Sequence, residues 1–249
     1  MTAQRITPIL SIGALLALWL ILSYLTDDPQ VLPSPFALVP LFAGELASGE
    51  LLHHLGATLY RVLWAFALAM SFGTLIGFVM GRHEAINRWL DPWLVVFLNL
   101  PALVLIVLCY LWIGLTETAA IVAVMLNKIP NVALVIREGA RALDTNLEAM
   151  ARAYAVGRWA RLRHVLLPQL APFIAAASRG GLAVIWKIVL VVEFLGRSSG
   201  IGFQIHLYFQ LFDVAMVLVY AFSFILVMLA VEWAILQPWE RRVSRWRRA

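Results

Sequence analysis

The chain has 249 residues, 63% hydrophobic and only 13% charged, and its mean hydropathy of +0.88 excludes an ordinary soluble domain, whose apolar share is about 45–50%. The net charge of +5 and pI near 9.8 come from arginines gathered on alternate segments, which argues against nucleic acid as the partner. A single cysteine, Cys109, excludes an intrachain disulfide and a cysteine-rich metal site.

Apolar runs of about 20 residues, the length that crosses a bilayer core, predict an all-α polytopic membrane protein. Six spans are expected, near residues 7–25, 58–80, 93–113, 118–136, 169–195 and 214–236. Arg5 precedes the first run, but no small-x-small cleavage site follows before Tyr24 to Asp28, so the run reads as a retained span rather than a signal peptide. Residues 26–57 carry four prolines and short amphipathic pieces, too polar to cross lipid, and are expected as an external loop along the interface. His53 and His54 lack a third ligand at helical spacing and read as a solvated loop pair.

In the second span Gly73, Gly77 and Gly81 form a small-xxx-small ladder that lets another helix backbone approach, in the simpler reading within the chain and otherwise in a second subunit. Trp89, Trp93, Trp112, Trp239 and Trp246 stand near span ends, where amphipathic rings settle at headgroup depth. The fourth span places Lys128 among Asn127, Pro130 and Asn131. A charge at that depth costs roughly 2.5–3.5 kcal/mol, so it needs a compensating role, either lining a solute path for an anion or forming an ion pair with Glu193.

Residues 137–168 are too regular for an unstructured connection and predict two short helices. Thr145 and Glu148 match a capping box, Glu148 and Arg152 an i,i+4 pair; Gly157 supplies a turn and Pro168 the first position of the second helix. Ala149, Ala151, Ala153 and Ala155 keep the first helix slim enough to seat in a groove of another protein. In the fifth span Gly180 and Gly181 follow Arg179, and Lys187 and Glu193 lie about 120° apart around the helix, so they cannot form a simple bridge. Lys187 either snorkels or joins Lys128 as a pathway candidate, and Glu193 reads first as a gate or interhelical hydrogen-bond group and second as a pathway ligand. The chain closes on a basic tail, residues 237–249.

Arg5, Arg82, Arg88, six arginines from Arg137 to Arg163 and five in the tail make fourteen cations on same-side segments. By the positive-inside rule both termini and the 137–168 connection are cytoplasmic and the 26–57 loop periplasmic. No G-x4-G-K-[ST] motif, nucleophile with a base, or metal set is present, so no catalytic residue is expected. A secondary transporter driven by an ion gradient is the alternative, and it calls for inverted repeats that the sequence does not display.

With Pro168 as anchor, the 137–168 connection resembles the EAA loop, E-A-A-x3-G-x9-I-x-L-P, of binding-protein-dependent ABC importer permeases. Leu167 fills the Leu position, Val165 replaces Ile, Met150 and Ala151 take the Ala positions, and Ala149 and Ala155 stand at the Glu and Gly positions; Glu148 is one residue early and Gly157 two residues late. TLYRVLWAFALAMSFGTLIGFVMG, LPALVLIVLCYLWIGLTETAAI and VLVVEFLGRSSGIGFQI are similar to the nitrate, sulfonate and taurine branch. The resemblance implies a bacterial inner-membrane permease, in which Glu148, Ala149, Met150, Ala151, Arg152, Ala155, Gly157 and Pro168 couple to a cytoplasmic ATPase dimer. It further implies a second permease subunit, most simply a homodimer, and a periplasmic binding protein. ATP and Mg would sit on the ATPase, with no cofactor in this chain, and the solute would be a small anion, an aromatic acid or a vitamin precursor.

Overall fold

A computed structural model describes residues 3–238, and among them every regular element is helical. All but the first two residues of the basic tail, and with them Trp239 and Trp246, lie outside the described residues. The chain divides into two compact units, one built from Met1–Thr58 and Glu193–Val227, the other from Leu59–Val192 and Met228–Ala249.

The first unit opens with α1 (Ala3–Thr26). The following stretch is pinned back on α1: the Trp19 indole donates to the Pro33 carbonyl at 3.1 Å and the Ser23 hydroxyl to the Leu32 carbonyl at 2.9 Å. Ser34 then caps α2 (Pro35–Ser48) by accepting from the Ala37 N–H, with Pro35 in the first turn and Gly49 at φ +84° ending the helix. The expected 26–57 loop is therefore largely helical. Serine and proline at its start and glycine at its end bracket an apolar run, and α3 (Glu50–Arg82) begins well before the predicted second span. The unit also holds α10 (Ile201–Gln210) and most of α11 (Val214–Val231).

In the second unit the predicted third span is not one helix. α4 (Glu84–Asn99) and α5 (Ala102–Ile113) meet at a bend of 98°. Pro101 has no N–H to continue the ladder and forces Leu100 into extended backbone, φ −70°, ψ 125°. α6 (Glu117–Arg141) is capped by Thr116 and leads through three residues into α7 (Thr145–Ala153). The second short helix expected in the connection is also different. α8 (Arg158–Arg161) runs through a wider π-helical turn, Leu162–Leu166, straight into α9 (Leu167–Gly196), so Pro168 lies inside a continuous helix rather than at the start of one. The missing proline donor is accommodated where the helix widens.

Glycine decides how closely α3 meets α6. A Cβ on Gly73 would stand 2.6 Å from the Val132 Cβ, one on Gly81 2.5 Å from the Ala140 Cβ, and one on Gly77 would fall on the Ala133 carbonyl. The ladder packs within the chain, as its simpler reading holds. Two ion pairs add direction: Arg61 grips Glu117 through two bonds of 2.7 Å, joining α3 to the start of α6, and Arg137 of α6 pairs with Asp91 of α4.

Four helices are long and apolar enough to cross a membrane, Glu50–Arg82, Glu117–Arg141, Arg158–Gly196 and Val214–Ala234, and the bent α4–α5 pair makes a fifth if it is one span. α1 contributes a shorter apolar stretch, Leu10–Thr26.

Candidate functional site

The segment between α6 and α9 is organised around one carboxylate. Asp144, not Thr145, is the N-cap of α7: its side chain accepts from the Asn146 N–H at 2.7 Å, and Thr145 is already inside the helix. The predicted capping box is thus replaced, because an aspartate one residue earlier takes the cap. Glu148 is released from a capping role and turns inward, with 6% of its surface exposed. Arg82, in the last turn of α3, donates to both Glu148 oxygens at 2.6 and 2.7 Å, and Arg152 adds the expected i,i+4 bond at 3.1 Å. Burial acts to raise the Glu148 pKa, but the two guanidiniums outweigh it and hold the carboxyl below its ordinary range.

Next to the clamp, Ala140 and Leu143 form a small core with Leu166 and Leu170, covered by Phe78, Leu162 and Ile174. The α6–α7 junction is therefore packed against α3 and the start of α9. Outward, α7, the turn after it and the start of α8 expose Leu147, Met150, Tyr154, Val156 and Trp159, with Tyr154 80% and Trp159 73% accessible. Ala149, Arg152, Ala155, Gly157 and Pro168 are also exposed, and Ala151 is buried. The turn itself departs from expectation: Gly157 sits at an unremarkable φ of −57°, and the left-handed residue is Ala155, φ 51°. Ala155 is the residue at the Gly position of the EAA pattern, which explains a glycine preference there.

In α6, Lys128 is buried, 6% exposed, and its aliphatic stem lies along α9, 3.2 Å from where a Gly181 Cβ would stand. Lys128 takes part in none of the ion pairs among the described residues. The Glu193 carboxylate, the partner suggested for it, accepts from Thr58 and Gly202. Asn127 is half-buried and Asn131 exposed. On α9, Lys187 is exposed on the same helical face as Ala176, Gly180 and Ala183, and open space surrounds Gly180.

In the other unit, Glu193 is fully buried and accepts from the Thr58 hydroxyl at 3.0 Å and the Gly202 N–H at 2.9 Å. Ile201 N–H donates to the Thr58 oxygen at 2.9 Å, and Gly200 N–H to His54 Nδ1 at 3.0 Å. Three successive amides at the N-terminus of α10, which a helix cannot satisfy internally, are thus met by side chains. His54, read as solvated, is buried, accepts at Nδ1 and lies with its other ring nitrogen against the Gln204 side chain. The signal for this cluster was present: His54 and Thr58 are polar residues four apart on one helical face. Arg82 carried no comparable signal, since a basic residue ending a helix is ordinarily solvated.

Residues 69–237 match the family model described as "Binding-protein-dependent transport system inner membrane component". The chain is 30% identical over 194 residues to SsuC of Bacillus subtilis (strain 168), a permease named for aliphatic sulfonates transport, covering 78% of this chain and 70% of that one. It is 28% identical over 205 residues to the taurine transport system permease protein TauC of Escherichia coli (strain K12), covering 79% and 74%. Among solved structures, a chain of an amino acid ABC transporter with histidines is similar in fold, with a TM-score of 0.62 at 22% identity, over 82% of this chain and 94% of that one.

Proposed function

This chain belongs to the binding-protein-dependent transport system inner membrane components and is the permease of an ABC importer, and from that premise we propose that two copies form the path of a small anionic solute into the cell. The observation that carries the coupling is the exposed apolar face of α7 and its turn. Leu147, Met150, Tyr154 and Trp159 stand uncovered beside Arg152 and Arg158 in a connection between helices long enough to span a membrane. Large exposed aromatic groups are the usual anchors of an interface, and the occupant is a cytoplasmic ATPase that carries ATP and Mg.

Closure of the ATPase pair displaces α7, and α6 and α9, joined to it on either side, tilt between inward-open and outward-open states. Both termini lie in the cytoplasm of a bacterial inner membrane, and a periplasmic binding protein presents the solute. The exposed lysine of α9 supports an anion as cargo. A charge on an otherwise small and apolar helical face is costly against lipid, so Lys187 faces the path, with Lys128 and Asn131 of α6 as further candidates. The relatives named for sulfonates and taurine fit that sign of charge.

The test is a reconstituted complex assayed for ATPase co-purification and for uptake. Met150→Asp or Tyr154→Asp is expected to release the ATPase while leaving the permease folded. Lys187→Ala and Lys128→Ala are expected to keep the ATPase and lower uptake of the anion by about tenfold, the scale of one lost charge contact. An ATPase that stays bound to both aspartate variants removes the docking face, and unchanged uptake in both lysine variants removes the cationic path.

A further inference from the structure

The second span has no direct covalent link to the coupling segment, yet the last turn of α3 is bound to it through a buried charge pair. Arg82 places one Nη2 against both oxygens of Glu148, and the carboxylate is buried while Arg82 is itself largely covered, 28% exposed. The same end of α3 is joined to α6 without intervening side chains, since a Cβ on Gly77 or Gly81 would collide with Ala133 or with Ala140. Phe78 of α3 packs on the core formed by Ala140, Leu143, Leu166 and Leu170. Three kinds of contact thus hold α3 to α6 and α7: a charge pair, backbone approach and apolar packing.

We infer that Arg82 is a positioning residue that locks the end of α3 to the coupling helix, so that the second span moves as one body with α6 and α7 when the ATPase closes. The inference rests on the docking role proposed above and gives Glu148 a different part within it. The carboxylate acts inside the permease, and the contact with the ATPase falls to the exposed face of α7. The reason is electrostatic: Glu148 already receives three guanidinium bonds, leaving it little capacity for another cation, and breaking a buried pair strands a charge. A pair of this kind resists separation by any motion that does not first replace both partners, so α7 cannot shift without carrying α3. Two helices tied at Gly77 and Gly81 cannot slide past each other either, because a sliding step brings side chains of one onto the backbone of the other.

The experiment compares Arg82→Ala, Glu148→Gln and the exchanged double variant Arg82→Glu with Glu148→Arg, each as the full complex in liposomes with its binding protein. The readout is solute moved per ATP hydrolysed. Each single variant is expected to keep its ATPase bound and hydrolysing while that ratio falls by about tenfold, and the exchanged pair is expected to recover most of it. Undiminished coupling in Arg82→Ala overturns the inference. So does loss of the ATPase in Glu148→Gln but not in Arg82→Ala, which would make Glu148 a direct contact.

A second measurement covers variants that fail to fold. Cysteines at positions 82 and 148 in a Cys109→Ala background, joined by a short bis-maleimide, are expected to leave transport intact because the two ends never part. Transport abolished by the link, and restored when the linker is omitted, would sink the inference. A wild-type complex that binds no ATPase at all would instead remove the docking role on which it rests.

Discussion

Two buried carboxylates, Glu148 and Glu193, accept from different kinds of donor. Glu148 is met by side-chain cations, Arg82 from another helix and Arg152 from its own. Glu193 accepts from a hydroxyl and from a backbone amide at the start of α10, where the helix dipole supplies positive potential. A guanidinium pair can be broken, exchanged and remade by substitution. Backbone donors cannot be substituted, and they depend on how closely the chain approaches. The contrast fits the inference drawn above, in which the Glu148 pair moves with the coupling helix, while Glu193 fixes the start of α10.

The largest expected effect attacks the approach at Glu193. Gly200 sits at φ +111°, and a Cβ there would run into the Glu193 carboxyl. Gly200→Ala should therefore cost about 3 kcal/mol or more, combining backbone strain with overpacking, and show as a sharply lower melting temperature in detergent. Gly180→Ala, with nothing within 4 Å, should melt like the wild type. Equal melting of the two variants would mean that the Glu193 cradle is not rigid.

A middle-sized effect tests the Glu148 clamp by pH. The Glu148 carboxyl is depressed below its unfolded value, so its stabilisation is fully present above the ordinary carboxylate range and is lost as pH falls through the folded value. Wild type should exceed Glu148→Gln by about 1.5–3 kcal/mol at neutral pH, the worth of hydrogen bonds to a charged group. Thermal melts should show that margin shrinking on acidification; a margin that does not change with pH would mean the pair contributes no charge-dependent stability.

The smallest effect is at Ala155. An L-residue in the left-handed region costs about 1–2 kcal/mol, but glycine gives back about 0.5–1 kcal/mol in unfolded-chain entropy. Ala155→Gly should gain less than about 1 kcal/mol, visible as a small rise in melting temperature, and a fall would mean that the turn is held by contacts of the alanine methyl.

Much of the fold is legible because its signals are local. Apolar runs of bilayer length, the Gly73–Gly77–Gly81 ladder and the Glu148–Arg152 spacing all act through residues a few positions apart. The misses are of two kinds. Some are competitions between neighbours: Asp144 takes the cap from Thr145, Ala155 the left-handed turn from Gly157, and Pro101 breaks an otherwise continuous apolar run. Others pair residues far apart in sequence, such as Arg82 with Glu148, His54 with Gly200, and Thr58 with Glu193, for which spacing carries no information.

By itself the sequence determined that this chain lives in lipid, that it is helical, and that the connection between α6 and α9 is regular, because hydropathy and helical period are properties of consecutive residues. Tertiary structure alone decided which charges are spent inside the molecule. A carboxylate's partner depends on which distant donor folding brings within about 3 Å, and that choice turned Glu148 inward and left Met150, Tyr154 and Trp159 facing out.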